Sequence, residues 1–169
     1  MTEDLAAARN KPWWKGSRGE WLVVAQVALI ALVFLGPRKV AGQPAWPFLF
    51  PHACRVMGGV LIVAGGVLLV AGLFRLGRGL TPLPYPKDGS DLIQTGPFAL
   101  VRHPMYCGGL ILALGWALYV RGWLTLGYVV GLFAFLDAKS RREERWLAEK
   151  FPAYAGYQKR VRKLIPFVY

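Results

Sequence analysis

The sequence predicts an all-α integral membrane protein of about four transmembrane helices, the last two forming a helical hairpin, with a further cytoplasmic C-terminal helix. The first observation is compositional. Fifty-five per cent of the 169 residues are hydrophobic, yet the formal net charge is +12, which leaves either a basic nucleic-acid binder or a membrane protein with its cations gathered on one side. The second is the length of the apolar runs. Trp21–Leu35 and Val56–Phe74 are nearly free of charge and approach the roughly 20 residues that cross a bilayer. A third run, Cys107–Leu136, is interrupted only by Arg121-Gly122, the apex of the hairpin. The third is charge placement. With a cytoplasmic N-terminus, the segments 1–20, 75–103 and 137–169 face the cytosol and carry 17 of the 21 Lys and Arg residues. The other side keeps Arg38, Lys39, Arg55 and Arg121, so positive charge lies inside and both termini are expected in the cytoplasm of a multi-pass protein. The charge then reports topology, and nucleic acid is not expected as a partner.

Along the chain, residues 1–19 read as a basic lead-in in which Trp13 and Trp14, with Lys11 and Lys15, are interfacial anchors. Trp21–Leu35 has no small-residue cleavage site before the next polar loop, so it is expected to remain as a span. The segment 36–53, with Gly36, Pro37, Gly42, Pro44, Pro47 and Pro51, reads as an irregular outer connection. The second span carries Gly58, Gly59, Gly65, Gly66 and Gly72. Small residues let membrane helices approach closely, so this helix is expected at the packed centre of the bundle. Cys54 and Cys107 fall at opposite faces, too far apart for a disulfide, and His52 and His103 are separated likewise; no metal site is expected.

The stretch 76–98 alternates Pro82, Pro84 and Pro86, which forbids helix and favours an extended wall or binding loop; a plain linker is the alternative. The hairpin then makes a geometric prediction. His103 precedes the apex by about as many residues as Glu143 follows it, so at 1.5 Å per residue the two return to nearly the same depth. "RHPMY" and "RREERW" should therefore meet at the cytoplasmic interface. The helix from Trp123 to Lys150 would run about 40 Å, beyond what the membrane needs, so its last turns project outward.

That corner has the makings of a site. Pro104 suits the first turn of a helix, whose free N–H groups and dipole favour an anionic group. Arg102 supplies a cation, and His103 and Tyr106 supply hydrogen-bonding groups. Glu143 and Glu144 are adjacent acids suited to an ammonium, a ribose diol or a sulfonium-bearing amino acid. The blander alternative is that both glutamates pair with Arg141, Arg142 and Arg145 on a solvated helix end. Farther on, Phe151, Tyr154 and Tyr157 precede Lys159, Arg160, Arg162 and Lys163, a pattern expected of a short amphipathic segment lying on an anionic leaflet and ended by Pro166.

These residues carry a resemblance. "LGRGLTPLPYPKDGSDLIQTGPFALVRHPMYCGG" followed by "EERWLAEKFPAYAGYQKRVRKLIPF" resembles the isoprenylcysteine carboxyl methyltransferase family, whose superfamily includes the phospholipid N-methyltransferases. The pattern spans roughly residues 76–167, and its order and spacing are specific where "RHPxY" alone is weak. The resemblance implies one membrane methyltransferase domain over 1–169: a lead-in at 1–19, two helices within 20–75, and a cofactor-binding loop, hairpin and C-terminal segment over 76–169. It implies S-adenosylmethionine as cofactor and a lipophilic acceptor, either an isoprenylcysteine-type carboxylate or an amino-lipid headgroup, entering from the bilayer, with membrane lipids as surroundings and no required protein partner. Carried over by position, His103, Pro104, Tyr106, Gly108, Glu143, Glu144, Tyr154 and Tyr157 would line or close the cofactor pocket. Arg102, Glu143 and Glu144 would do the chemistry, a cation orienting a carboxylate acceptor or a glutamate taking a proton from an amine. Pro152 departs from the glycine common at that place, which puts the turn carrying Tyr154 in question. Two other readings stand beside this one: a nicotinamide-dependent membrane reductase of the sterol-reductase type, and a non-catalytic membrane scaffold.

Overall fold

The computed structural model describes residues 20–42, 50–77 and 91–169. Among these residues every regular element is a helix: α1 (Glu20–Leu35), α2 (Pro51–Leu76), α3 (Pro97–Leu100), α4 (Pro104–Val120), α5 (Trp123–Lys150) and α6 (Tyr154–Arg160). Pro51, Pro97 and Pro104 each stand in the first turn of a helix, where a missing N–H costs nothing. Among the described residues, α2 with its 26 residues is the one helix both long and apolar enough to cross a membrane, while α1 and α4 are apolar but shorter. The apolar part of α5 ends at Leu136; from Asp137 onward the helix is polar.

Helices α2 and α4 run antiparallel along a seam of glycines spaced by seven residues. A Cβ built on Gly65 would stand 2.6 Å from the Gly108 carbonyl oxygen, and one on Gly58 would stand 2.6 Å from that of Gly115. Gly72, one repeat farther, faces Pro104 and Met105. Two backbones can touch along such a line only where no side chain intervenes. Gly59 lies off this line in open space. The other faces of α2 remain exposed, including Val56, Val60, Val63, Val67 and Phe74. The expectation that α2 forms the centre of the bundle is therefore corrected: it is a peripheral helix held by one stripe. The core lies between α1, α4 and α5, where Val33, Ala113, Ala117, Val129, Leu132 and Leu136 are buried together. Trp116 rests on Phe34 at 5.8 Å and on Tyr119 at 6.2 Å between ring centroids, with the Arg38 guanidinium 5.5 Å from its own.

Arg121 ends α4 in the left-handed conformation (φ 53°), donating its N–H to the Ala117 and Leu118 carbonyls, and Gly122 leads directly into α5. At the other end of these two helices the C-terminal segment folds back. The Arg102 N–H donates to the Arg162 carbonyl at 2.8 Å and the His103 N–H to that of Lys163 at 3.1 Å, a short parallel pairing of extended chain. Helix α6 ends at Arg160, before Pro166, and Tyr154 and Tyr157 are only 1% and 2% exposed. Those two tyrosines thus face protein, while Lys159, Arg160 and Arg162 stay exposed. The interfacial role of Trp13 and Trp14, the prolines at 44 and 47, and the extended Pro82–Pro84–Pro86 wall all fall outside the described residues.

Candidate active site

The site is assembled where the start of α4, the polar end of α5 and the C-terminal segment converge. Pro104 sets the first turn of α4, which makes His103 the N-cap; its backbone (φ −121°, ψ 67°) is non-helical, and its side chain is free to turn away from the helix. Tyr106 sits one turn above His103, and the two rings stack at 5.4 Å with 6° between their planes. From α5, Glu143 and Glu144 project into the same space. At ionic separation, Arg102 grips Glu144 with two parallel bonds, Nε to Oε1 at 2.8 Å and Nη2 to Oε2 at 3.2 Å. The His103 Nε2–H donates to Glu144 Oε1 at 3.2 Å, since an ionised carboxylate only accepts. The Gln158 side chain of α6 donates to Oε2 at 3.1 Å. Glu144 therefore has about four acceptor positions and four donors on them.

Glu143 is placed differently. It accepts the Tyr106 hydroxyl, with the His103 Nδ1 at 3.6 Å and the Lys139 ammonium at 3.8 Å, the latter two beyond good hydrogen-bond length. The two adjacent acids consequently part in acidity. Burial pushes Glu143 above the usual carboxylate range, and the nearby His103, Tyr106 and Lys139 offset this only in part. Burial acts on Glu144 in the same sense, but the hydrogen bonds and charges of His103 and Arg102 outweigh it and hold its pKa down at about 2. The surroundings thus set the two adjacent carboxylates apart, favouring the ionised form of Glu144 and the protonated form of Glu143. Arg141 pairs with Asp137 at 2.8 Å and Arg142 lies over the Trp146 ring, while both glutamate side chains are largely buried and Glu144 pairs with Arg102, so the solvated-helix-end alternative is corrected.

Arg102 is also committed on its far side. Its Nη1 donates to the carbonyls of Gln158 (3.2 Å) and Val161. Its guanidinium thus joins α5, α6 and the extended segment, and it does not stand open as a cation for an incoming ligand. Gly108, assigned to the pocket by position, faces α2 instead; a Cβ there would meet the Leu69 nitrogen at 2.6 Å and the Gly65 carbonyl oxygen at 2.7 Å. Pro104 likewise packs toward Gly72. Tyr157 closes the site from below by donating its hydroxyl to the Phe98 carbonyl, and burial pushes its pKa up to about 12. The Tyr154 hydroxyl is buried with no hydrogen-bond partner among the described residues, and burial, reinforced by the Glu144 charge, raises its pKa.

Three members of the cluster escaped sequence reasoning. They are Lys139 and Gln158, near the glutamates, and Gln26 of α1. The signals were available: Gln26 is the lone polar residue of the run 21–35, and Lys139 stands four residues before Glu143, one turn away on the same face.

The apolar helical bundle thus gathers two carboxylates, a histidine and an arginine at one polar end. Comparison with known proteins places the chain in a family. A family model described as phospholipid methyltransferase matches residues 53–154, and the chain belongs to that family. Among curated proteins, the protein-S-isoprenylcysteine O-methyltransferase of Saccharomyces cerevisiae is 31% identical over 119 residues, 68% of this chain and 50% of the yeast protein. The nickel-cobalt-cadmium resistance protein NccN of Alcaligenes xylosoxydans xylosoxydans is 28% identical over 152 residues, covering 88% of this chain and 63% of that protein. A delta(14)-sterol reductase of Mus musculus is 38% identical over 85 residues, 48% of this chain but 20% of the reductase. The chain thus spans between half and two thirds of the first two relatives it matches.

Proposed function

We propose that the protein is a multi-pass membrane methyltransferase that uses S-adenosylmethionine to methylate a lipophilic acceptor at the cytoplasmic face. In this reading α1, α2, α4 and α5 are the four crossings, α4 and α5 form the hairpin, and both termini are cytoplasmic. The observation that carries it is the pair Glu143 and Glu144, buried at the end of an apolar bundle and driven to opposite acidities, within the region matched to the family.

The residues present fit the cofactor. The orphaned Tyr154 hydroxyl offers a buried donor and acceptor, and Glu143 has acceptor capacity that Glu144 lacks. The first turn of α4 presents unpaired N–H groups above a histidine cap that makes no bond to them. Glu143, Tyr154 and the α4 N-terminus would hold its polar groups, with His103 and Tyr106 stacked as one wall. When bound, it would supply a methyl group on a sulfonium, open to in-line displacement. Such a displacement asks the protein mainly for alignment and a dry site. Glu144 and Arg102 act as positioning residues: the four donors on Glu144 fix where Glu143 stands one residue away. Glu143, with its raised pKa, is the group able to exchange a proton if the acceptor is an amine.

The sterol-reductase likeness, at 38% identity over 85 residues, favours a second reading in which the same corner holds a nicotinamide cofactor. Calorimetric titration of the full chain in detergent with S-adenosylmethionine, S-adenosylhomocysteine and NADPH separates the two. Both sulfur ligands are expected to bind and NADPH not to. Glu143→Gln is expected to weaken them about tenfold or more, as for a lost hydrogen bond to a charged group. NADPH binding in their place, or no sulfur-ligand binding by folded protein, overturns the methyltransferase reading.

A further inference from the structure

Residues 165–169 fold into a tight turn that takes no part in the glutamate cluster. The N–H groups of Leu164 and Ile165 donate to the Tyr169 carbonyl at 2.8 and 2.7 Å, and those of Val168 and Tyr169 return to the Ile165 carbonyl at 3.2 and 3.0 Å. Phe167 within it takes the left-handed backbone (φ 65°), which a bulky residue rarely adopts unless its surroundings impose it. The Tyr169 hydroxyl supplies the anchor. It donates to Asp137 Oδ1 at 2.9 Å and accepts from the Arg141 guanidinium and the Lys163 ammonium, each at 3.1 Å. A turn held this firmly still leaves its apolar side chains uncovered: Phe167 is 82% exposed and Val168 72%, with Ile165 exposed beside them.

The anchor fixes where these side chains stand. Asp137 is the first charged residue of α5 after an apolar run that begins at Trp123. With Val130, Ala134 and Arg141 it follows the i, i+4, i+7, i+11 spacing of one helix face, along which those three residues are exposed. The turn therefore hangs on the outward face of α5, at the level where apolar sequence gives way to polar. Charge agrees with depth: residues 151–169 hold Lys159, Arg160, Arg162 and Lys163 with no acidic residue, and the first three are exposed. We infer that the turn 165–169 docks on an anionic lipid leaflet, Phe167 and Val168 dipping beneath the headgroups while Lys159 and Arg162 meet lipid phosphates. This rests on the proposed crossing of the bilayer by α5 and goes beyond it. A protein partner fits less well, because headgroups and acyl chains already fill the space level with the end of the apolar run. The leaflet then bears on the candidate site, since the same segment carries the Arg162 and Lys163 carbonyls that accept the Arg102 and His103 N–H groups.

The test uses the full chain in lipid nanodiscs, with Cys54 and Cys107 replaced by alanine. A polarity-sensitive fluorophore is attached at one introduced cysteine at a time: Phe167→Cys or Val168→Cys in the turn, Val130→Cys on the same face of α5, and Glu149→Cys near the polar end of that helix. Quenching is read with lipids that carry a nitroxide on the upper acyl chain, in phosphatidylcholine alone and with phosphatidylglycerol added. The labels at 167, 168 and 130 are each expected to lose about half or more of their emission, while the label at 149 stays bright. Phosphatidylglycerol is expected to increase the loss at 167 and 168 but not at 130, and Lys159→Gln combined with Arg162→Gln to abolish that increase. Turn labels as bright as the one at 149, or quenching indifferent to phosphatidylglycerol and to the double substitution, overturn the inference. So does a turn label shielded in lipid-free detergent to an extent that grows with protein concentration, the mark of a second copy in place of the leaflet. The label at 168 keeps Phe167 and its left-handed backbone, so disturbance of that residue does not decide the result. An unquenched label at 130 brings down the crossing by α5 and the docking with it, a result distinguishable from failure of the turn alone.

Discussion

Replacing Arg102 by alanine tests whether this residue acts as a strap or as a ligand contact. In the native protein its side chain is 11% exposed and its partner Glu144 is equally covered. The substitution removes two charged bonds from Glu144 and the donor shared by the Gln158 and Val161 carbonyls. Removing one member of a buried pair leaves the other charge uncompensated and costs about 3–5 kcal/mol. For a chain of this size each kcal/mol is worth roughly 2–4 °C, so the midpoint of thermal unfolding is expected to fall by about 6–20 °C. His103 and Gln158 still donate to Glu144, which places the outcome toward the lower end of that range. Arg102→Met combined with Glu144→Leu removes both charges and leaves no orphan, so it is expected to recover at least half of the loss. The assay is thermal unfolding of each variant in detergent, followed by limited proteolysis near residue 161, where the extended segment should be cut faster in Arg102→Ala. A fall of less than about 2 °C with unchanged proteolysis, or a double variant as damaged as the single one, would refute the strap and return Arg102 to the role of a ligand cation.

Two further outcomes follow from the geometry. Gly65→Leu drives a side chain into the Gly108 carbonyl and the Leu112 nitrogen, both within 2.6 Å of the new Cβ, so α2 should separate from α4; the loss is expected to exceed 3 kcal/mol, whereas Gly59→Leu in open space costs under about 1 kcal/mol. Thermal unfolding of the pair tests this, and equal midpoints would sink the seam. Glu144 predicts an acid-sensitive stability. Its pKa is depressed from 4.5 to about 2, so its contribution is fully present above the unfolded value and fades as pH falls from about 4.5 to about 2. After discount for solvent at the edge of the cluster the effect is about 1–2 kcal/mol. Unfolding midpoints measured through that window should fall in the wild type and flatten in Glu144→Gln; parallel curves would mean that Glu144 is not the group responsible.

The sequence by itself determined the helical class, the boundaries of α4 and α5, and the convergence of "RHPMY" with "RREERW". Each of these depends on local rules: apolar run length, a proline in a first turn, an Arg-Gly break, and a fixed rise per residue that places His103 and Glu143 at one level. The chemical kinds in the cluster were legible too, because Arg102, His103 and Tyr106 stand where an apolar run begins and Glu143 and Glu144 stand in the polar end of the helix that returns to it.

Only the tertiary structure decided how those groups are shared. Which glutamate is saturated depends on Gln158, fourteen residues away in another helix, and on the carbonyls of a returning strand. Whether Gly108 serves a pocket or a seam depends on Gly65, which lies on a different helix. Lys139 finds its hydrogen-bond partner in Gln26, more than a hundred residues earlier. Pattern along a chain reports what each segment can bury, since burial is set by periodicity and composition. Who occupies a given lone pair is set by which segments arrive there together, and that is a property of packing alone.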